Sequence, residues 1–290
     1  MNELETRMME PTPRRIFSVL LGTFSVVTAF VLLGRWAAVQ TGPVAVALSL
    51  LASVVSILLV ASIGEWFVHR YAMHRGRRFP LFRLATELHH RAHHCQHFTP
   101  DRYIHSGPIE YPSVLGHGTG TLCPTRLSRA LTVGSHAAFY SLFGAPIVGA
   151  VWVATANTWF ALGAATTTIV VIGLFIRVHD AVHYPGTSYL EHFRWFWFLD
   201  KHHYIHHIDT RANTNFLLPF GDLLMGTLRR QLTQAELARW PSYAAARTRL
   251  FDPLTGTFRE ALDLGPREAD PNSQSVSRRL ASSSPAASLH

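Results

Sequence analysis

The stretch VAVALSLLASVVSILLVASIGEWFVHRYAMH, residues 44–74, decides the predicted fold. Its first part, residues 44–63, is apolar and uncharged, and a helix of that length crosses a hydrocarbon core about 30 Å thick. The end of the stretch changes character and brings His69 and His74 directly after the apolar run. We therefore predict a membrane-spanning helix that ends in a pair of histidines.

Three further runs are apolar over comparable lengths, at about residues 16–33, 131–154 and 159–176. No small-residue cleavage site clearly follows the first run, which favours a retained helix over a signal peptide. A short break at residues 156–158 joins the last two runs into a hairpin. The predicted fold class is all-α: an integral membrane protein with about four transmembrane helices in two hairpins, and a cytosolic helical cap that carries the histidines.

The rest of the chain is arranged around this membrane domain, which we place at residues 16–230. Residues 1–15 are predicted to form a polar cytosolic N-terminus. Residues 231–265 are predicted to add a helical extension that begins with a capping box at Thr233. Residues 266–290 have the Ser-, Pro- and Arg-rich composition of a disordered tail.

Composition and charge narrow the class of function. Charged residues make up 15% of the chain, below the quarter usual in soluble domains. The net charge of +8 comes almost wholly from arginine, a bias that we attribute to codon usage, and no nucleic-acid partner is predicted. Two cysteines cannot form a disulfide framework. Arginines flank the same end of all the runs, which predicts that both termini and the histidine-rich segments are cytoplasmic.

Histidine is the unusual residue, with 18 copies against 18 acidic residues. Ten of them fall in four motifs: HX4H at residues 69–74, HXXHH at 90–94, HX3H at 179–183 and HXXHH at 203–207. Positions i, i+3 and i+4 share one face of an α-helix, so each HXXHH triplet is predicted to point one way. The residues of HX4H diverge by about 140° on an ideal helix, so we expect them to reach different metals or to straddle a helix end.

Ten imidazoles are too many for one metal ion and enough for two. Without metal, such a cluster would bury like charges or leave hydrogen-bonding groups unused. His97 falls two turns after His90 on the same face, and a supporting contact to a ligand is its predicted role. His89, His192 and His202 are predicted to have supporting or surface roles, while the isolated histidines are predicted to be structural (His105, His117, His136) or terminal (His290). The carboxylates near the motifs are candidates for orienting imidazoles: Glu65, Glu87, Asp180, Asp200 and Asp209.

The type, order and membrane placement of these motifs resemble the fatty acid hydroxylase superfamily, also called the sterol desaturase family. The resemblance covers about residues 44–230 and includes NTNFLLPFGDLLMGTL at 213–228. It implies a non-haem di-iron centre, with dioxygen as co-substrate. Zinc is an expected substitute for the iron on purification, since affinity alone does not select iron. The ligands that it implies are His69, His74, His90, His93, His94, His179, His183, His203, His206 and His207.

These observations predict a membrane-bound oxidoreductase that hydroxylates a C–H bond of a lipid. No cytochrome b5-like domain is present in the sequence, so electrons are expected from a separate protein of ferredoxin or cytochrome b5 type. A lipid desaturase on the same scaffold is the first alternative. A histidine-rich metal transporter or sensor is the second, although transport sites usually lie within the spans. A structural zinc site is the third, for which so large an all-histidine set is unusual.

Overall fold

The computed structural model describes residues 10–104, 110–112, 119–121, 144–184, 188–240, 251–252 and 257–258. This part of the chain is helical apart from its loops and two short antiparallel strand pairs. The α-helices are α1 (Pro13–Ala38), α2 (Pro43–Phe67), α3 (Pro80–Thr86), α4 (Gly144–Thr155), α5 (Thr158–His183), α6 (Arg194–Ile208), α7 (Phe220–Met225) and α8 (Gln234–Arg239).

Two π-helical segments, in which hydrogen bonds join residues five apart, follow α2 and α3 directly at Val68–Met73 and Glu87–His97. Short 3-10 turns occur at Gly76–Arg78, Pro100–Arg102 and Tyr189–His192. The strands pair as β1 (Glu110–Pro112) with β2 (Thr119–Thr121) and β3 (Phe251–Asp252) with β4 (Thr257–Phe258).

Within the described residues, three helices are long and apolar enough to cross a membrane: Pro13–Ala38, Pro43–Met73 and Thr158–His183. They contain the predicted runs at 16–33, 44–63 and 159–176. The run predicted at 131–154 is described only from Gly144 onward, as the shorter apolar helix α4, and its first part lies outside the described residues. Helices of the required length thus account for three of the four predicted spans.

Small residues allow the spanning helices to approach closely. A Cβ atom added to Gly34 of α1 would lie 2.3 Å from the ring of Phe160 on α5. One added to Gly163 of α5 would lie 2.1 Å from Ser53 Oγ on α2. Glycine is therefore required at both crossings, as is common where membrane helices associate by close packing rather than by the hydrophobic effect.

The predicted break between the last two apolar runs contains a buried N-cap residue, Asn157. Asn157 accepts a hydrogen bond from Phe160 N through its side-chain oxygen, at 3.1 Å, and so begins α5. Its Nδ2 donates to Gly34 O at 2.7 Å and to Ser49 Oγ at 2.9 Å. This one side chain joins α1, α2 and α5 at the end of the bundle opposite the histidines.

Apolar side chains of the cap form a core against the last turns of α5. The fully buried members include Val178, Val182, Phe196, Ile205 and Phe216. This core fixes α6 and the loop that follows it beside the ends of the spanning helices, where the histidine motifs converge.

The chain after the cap begins as predicted. Thr233 and Glu236 form a reciprocal capping box at the start of α8. Strands β3 and β4 lie within the segment predicted as a helical extension, and the rest of residues 241–265 and the predicted tail lie outside the described residues.

Candidate metal centre

Nine buried or half-buried histidines lie in two groups whose ring nitrogens converge. Within a group, one nitrogen of each ring lies within 4.8 Å of the corresponding nitrogens of all other members. The groups adjoin, since the ring centroids of His94 and His207 are 4.0 Å apart. Group one is His69, His74, His89, His94 and His206, and group two is His93, His183, His203 and His207.

A π-helical turn brings His69 and His74 into the same group. The backbone bond from His74 N to His69 O, 3.1 Å long, closes a turn over five residues. The two rings stack at 20° with centroids 5.0 Å apart. The expected divergence is absent because it assumed α-helical geometry. The other expectation, that the pair straddles a helix end, is confirmed, since His74 is the C-cap residue.

The second π-helical segment, Glu87–His97, divides the first HXXHH triplet. His94 joins group one and His93 joins group two. His90 lies at the margin, with Nδ1 3.0 Å from Nδ1 of His74. The prediction that the triplet points one way was therefore wrong, because side-chain directions along a π-helix differ from those along an α-helix.

His89 enters group one although it lies outside all four motifs. Its Nε2 lies 2.8 Å from Nε2 of His69 and 3.0 Å from Nε2 of His94. The sequence analysis gave His89 only a supporting or surface role. The signal that reveals it is its spacing of five from His94, which is informative only on a π-helix.

Helix α6 supplies rings to both groups. His203 and His207 lie one turn apart and enter group two, with ring centroids 4.6 Å apart. His206 precedes His207 by one position, about 100° around the helix, and enters group one. The second triplet is therefore also divided, and the α-helix carrying it links the two groups.

Backbone carbonyls fix the tautomer of four of these histidines. Because a carbonyl oxygen only accepts, each contacting Nδ1 carries the proton and each Nε2 presents a lone pair. Metal-binding imidazoles in proteins are commonly oriented in this way. The Nδ1 contacts are His69 to Thr214 O, His183 to Tyr103 O (2.8 Å), His206 to Ala212 O (2.8 Å) and His207 to Phe98 O (2.6 Å).

The nitrogens of group two are better arranged to bind a metal ion than to form hydrogen bonds with one another. Nε2 of His203 lies 3.3 Å from Nε2 of His183 and 3.1 Å from Nε2 of His207. Both partners present lone pairs, and one proton on His203 can satisfy only one of them. Nε2 of His93 is buried without a hydrogen-bond partner among the described residues. A cation among the four nitrogens satisfies all of them.

Burial favours the neutral rings that metal binding requires. Removal from water, ahead of repulsion from neighbouring rings, holds the pKa values of His93, His94 and His203 well below their usual range. The same burial lowers the pKa of His206 to about 3. These four rings are therefore neutral at neutral pH, with lone pairs available to a metal ion.

Two acidic side chains, the buried Asp222 and the half-buried Glu65, hold the loop that orients His69. Asp222, fully buried, accepts hydrogen bonds from Thr214 N at 3.0 Å and Asn215 N at 2.7 Å. Glu65 accepts from Phe216 N at 2.8 Å. Glu65 was predicted as a candidate for orienting imidazoles, and it acts on the backbone of the loop. Asp222 lies within the family-like stretch at residues 213–228, but no role was predicted for it.

The structure also places the remaining predicted ligand, His179, beside group two. Its ring centroid lies 4.9 Å from that of His93 and 5.0 Å from that of His203. His90 and His179 are therefore neighbours of the groups, while the other eight predicted ligands are members.

The other histidines in the described part of the chain lie outside both groups. His97 ends the second π-helical segment. His202 is buried, and its Nε2 lies 2.6 Å from Asn215 O and 3.5 Å from Asp222 Oδ2. His192 is exposed, with its ring near Tyr189. The predictions for His105, His117, His136 and His290 fall outside the described residues.

Of the other carboxylates, Glu87 pairs with Arg91 at 2.7 Å, and Asp209 pairs with Arg211 at 2.9 Å. Asp200 accepts a bond of 3.4 Å from Tyr103 OH, whose backbone carbonyl in turn orients His183. Asp180 lies on α5 beside His179. In the contacts that orient the clustered rings directly, the acceptors are backbone carbonyls rather than these side chains.

Comparisons with protein-family models, with curated proteins and with solved structures find no match to this chain. The site is therefore interpreted from its own geometry: buried neutral histidines, in two adjoining groups, form a cluster able to hold metal ions at the ends of apolar helices.

Proposed function

We propose that this protein is a membrane-bound oxidoreductase that holds two iron ions in the two histidine groups and hydroxylates a C–H bond of a lipid. The observation that carries the proposal is the convergence of ring nitrogens in two adjoining groups, of which two in each group are proton-free Nε2 atoms. One ion would bind in each group, and His203, His206 and His207 of α6 would fix their relative position. When bound, a pair of redox-active ions would supply the activation of dioxygen.

The surroundings of group two support an apolar substrate. Aromatic rings lie against its histidines: the ring centroid of Phe98 is 4.0 Å from that of His183, and the centroid of Phe216 is 4.6 Å from that of His203. Such walls exclude water and accommodate hydrocarbon. Because the group lies at the end of a spanning helix, a lipid chain could reach it from the bilayer without crossing bulk water.

The protein residues have defined tasks in this proposal. The backbone carbonyls of Phe98 and Tyr103 accept hydrogen bonds from Nδ1 of His207 and His183, and so aim the opposite nitrogens of these rings at group two. The carbonyls of Ala212 and Thr214 do the same for His206 and His69 of group one. Electrons would come from a separate ferredoxin or cytochrome b5-type protein. The arginines beside the spans support a cytoplasmic position for the site and for both termini.

Mass spectrometry of lipids from cells with and without the gene tests the reaction. A gain of one oxygen supports hydroxylation, and a loss of two hydrogens shifts the assignment to desaturation on the same scaffold. His203→Ala should abolish either change, because it removes a nitrogen from group two. His192→Ala is the matched control, since that ring is exposed and belongs to neither group.

Elemental analysis of the same purified variants separates the remaining alternatives. Iron in the wild-type protein, with activity lost in His203→Ala and kept in His192→Ala, supports the proposal. Bound metal without any change in lipids contradicts an oxidoreductase and favours a metal transporter or sensor. A folded protein that never binds metal contradicts the site itself.

A further inference from the structure

An open apolar groove lies between α1, α2 and α7, away from the histidine groups. Its volume is about 370 Å³, within the range of small-molecule sites. The wall contributed by α1 consists of short side chains around Gly22, while Leu59 of α2 and Phe220 and Leu224 of α7 form the other sides. The groove belongs to the lipid-facing surface of two spanning helices, so hydrocarbon is the natural occupant of its apolar part.

One cationic side chain, Arg15, lines this apolar groove. Arg15 Nε donates to Leu224 O at 2.7 Å, and a second nitrogen donates to Leu223 O at 3.3 Å. These bonds hold the guanidinium against the C-terminal end of α7 but leave its charge without a counter-ion. Among the described residues, no carboxylate pairs with Arg15.

The start of α1 adds to this positive charge. Helix α1 begins at Pro13, and its first turn contains no acidic residue. Thr12 caps the N–H of Arg15, and with no carboxylate in that first turn the partial positive charge of a long helix adds to the charges of Arg14 and Arg15. An anion at this end of the groove would meet both the guanidinium and the helix terminus.

We infer that this groove binds one acyl chain of an anionic phospholipid, with the lipid phosphate on the Arg15 guanidinium. The apolar part of the groove would bind the acyl chain, and the end with Arg15 would bind the anionic headgroup. This lipid is not the oxidised substrate, because Leu59 precedes His69 on one continuous helix by about 15 Å of axial rise.

A substitution at Gly22 tests the groove without removing an existing contact. A Cβ atom added to Gly22 meets nothing within 4 Å, so Gly22→Leu should fold normally and fill the groove. Gly173→Leu is the matched control, since Gly173 is an exposed helical glycine of α5 whose added Cβ also meets nothing within 4 Å. Arg15→Gln removes the cation, and Arg15→Lys retains it.

Native mass spectrometry of the full chain in detergent, titrated with phosphatidylglycerol or phosphatidylcholine, measures binding. The wild type should retain one phosphatidylglycerol roughly tenfold more tightly than phosphatidylcholine, as expected for a charge-assisted contact. Gly22→Leu should lose this lipid while Gly173→Leu keeps it. Arg15→Gln should bring the two lipids close to equal affinity, and Arg15→Lys should preserve most of the preference.

Equal binding of the two lipids by the wild type would overturn the inference, as would undiminished binding of phosphatidylglycerol by Gly22→Leu. Metal content measured on the same samples shows whether the variants are folded. The inference stands apart from the proposed reaction: His203→Ala should lose oxidation yet keep the bound phospholipid.

Discussion

Replacing Asp222 tests whether the loop after α6 positions group one. The Asp222 carboxylate accepts from Thr214 N, Asn215 N, Thr214 Oγ1 at 3.1 Å and Thr227 Oγ1 at 2.6 Å. In Asp222→Ala the hydroxyls can turn to other acceptors, but the two backbone N–H groups remain buried and unpaired. At about 1–3 kcal/mol for each such donor, the variant should lose about 2–6 kcal/mol of folding free energy.

Asp222→Asn is the gentler version of the change. It keeps the shape and one acceptor oxygen, but its amide group faces the N–H of Asn215, which also donates. The variant should then lose about 1–3 kcal/mol of folding free energy, the cost of a single unsatisfied pair of donors. Thermal unfolding should rank the proteins as wild type, Asp222→Asn and Asp222→Ala in falling order. Asp101→Asn is the control, since Asp101 is exposed and belongs to a different segment, the turn Pro100–Arg102.

Metal content supplies the more specific readout. The loop orients His69 through Thr214 O and His206 through Ala212 O, both in group one. Group two is oriented by carbonyls of Phe98 and Tyr103, which belong to a different segment. Asp222→Asn should therefore weaken one metal site by roughly 10–100-fold and spare the other. Equal loss from both sites, or retention of both at wild-type affinity, would refute the reasoning.

Three further predictions follow from the geometry. His89→Ala should lower the metal affinity of group one, although His89 lies outside the motifs. His97→Ala should have a smaller effect, and metal titration of both variants measures the difference. Metal-free protein should lose stability as the pH falls below about 6.5, by about 1 kcal/mol per buried ring per pH unit. Stability falls with pH because burial lowers the folded-state pKa of rings such as His206, so only the unfolded chain takes up protons in this pH range. Unchanged thermal unfolding between pH 7.5 and 5.5 in the presence of chelator would contradict this prediction. Gly163→Leu should destabilise the bundle by at least about 1–3 kcal/mol through overpacking against Ser53, and unchanged thermal unfolding would show that the crossing can relax.

The sequence by itself determined the features that depend on local pattern. Apolar runs predicted the three helices of the described residues that are long and apolar enough to span a membrane, because a helix in hydrocarbon must be apolar along its whole length. The break at Asn157 and the capping box at Thr233 were also predictable from the sequence, since both satisfy backbone groups through side chains a few residues away. Histidine spacing likewise indicated a metal centre, and it named eight of the nine histidines that converge in the two groups.

The tertiary structure alone decided which histidine faces which group. A pattern read at 3.6 residues per turn assigned one direction to each HXXHH triplet, but two π-helical segments change that spacing around His69–His74 and His89–His94. The second triplet lies on the α-helix α6 and is divided because its two groups lie on either side of that helix, about 100° apart at His206 and His207. A π-helix is rarely favoured locally and persists where packing supports it, so no short motif announces it. The orienting carbonyls are equally invisible in sequence, because every residue has one and only the fold selects which meets an imidazole.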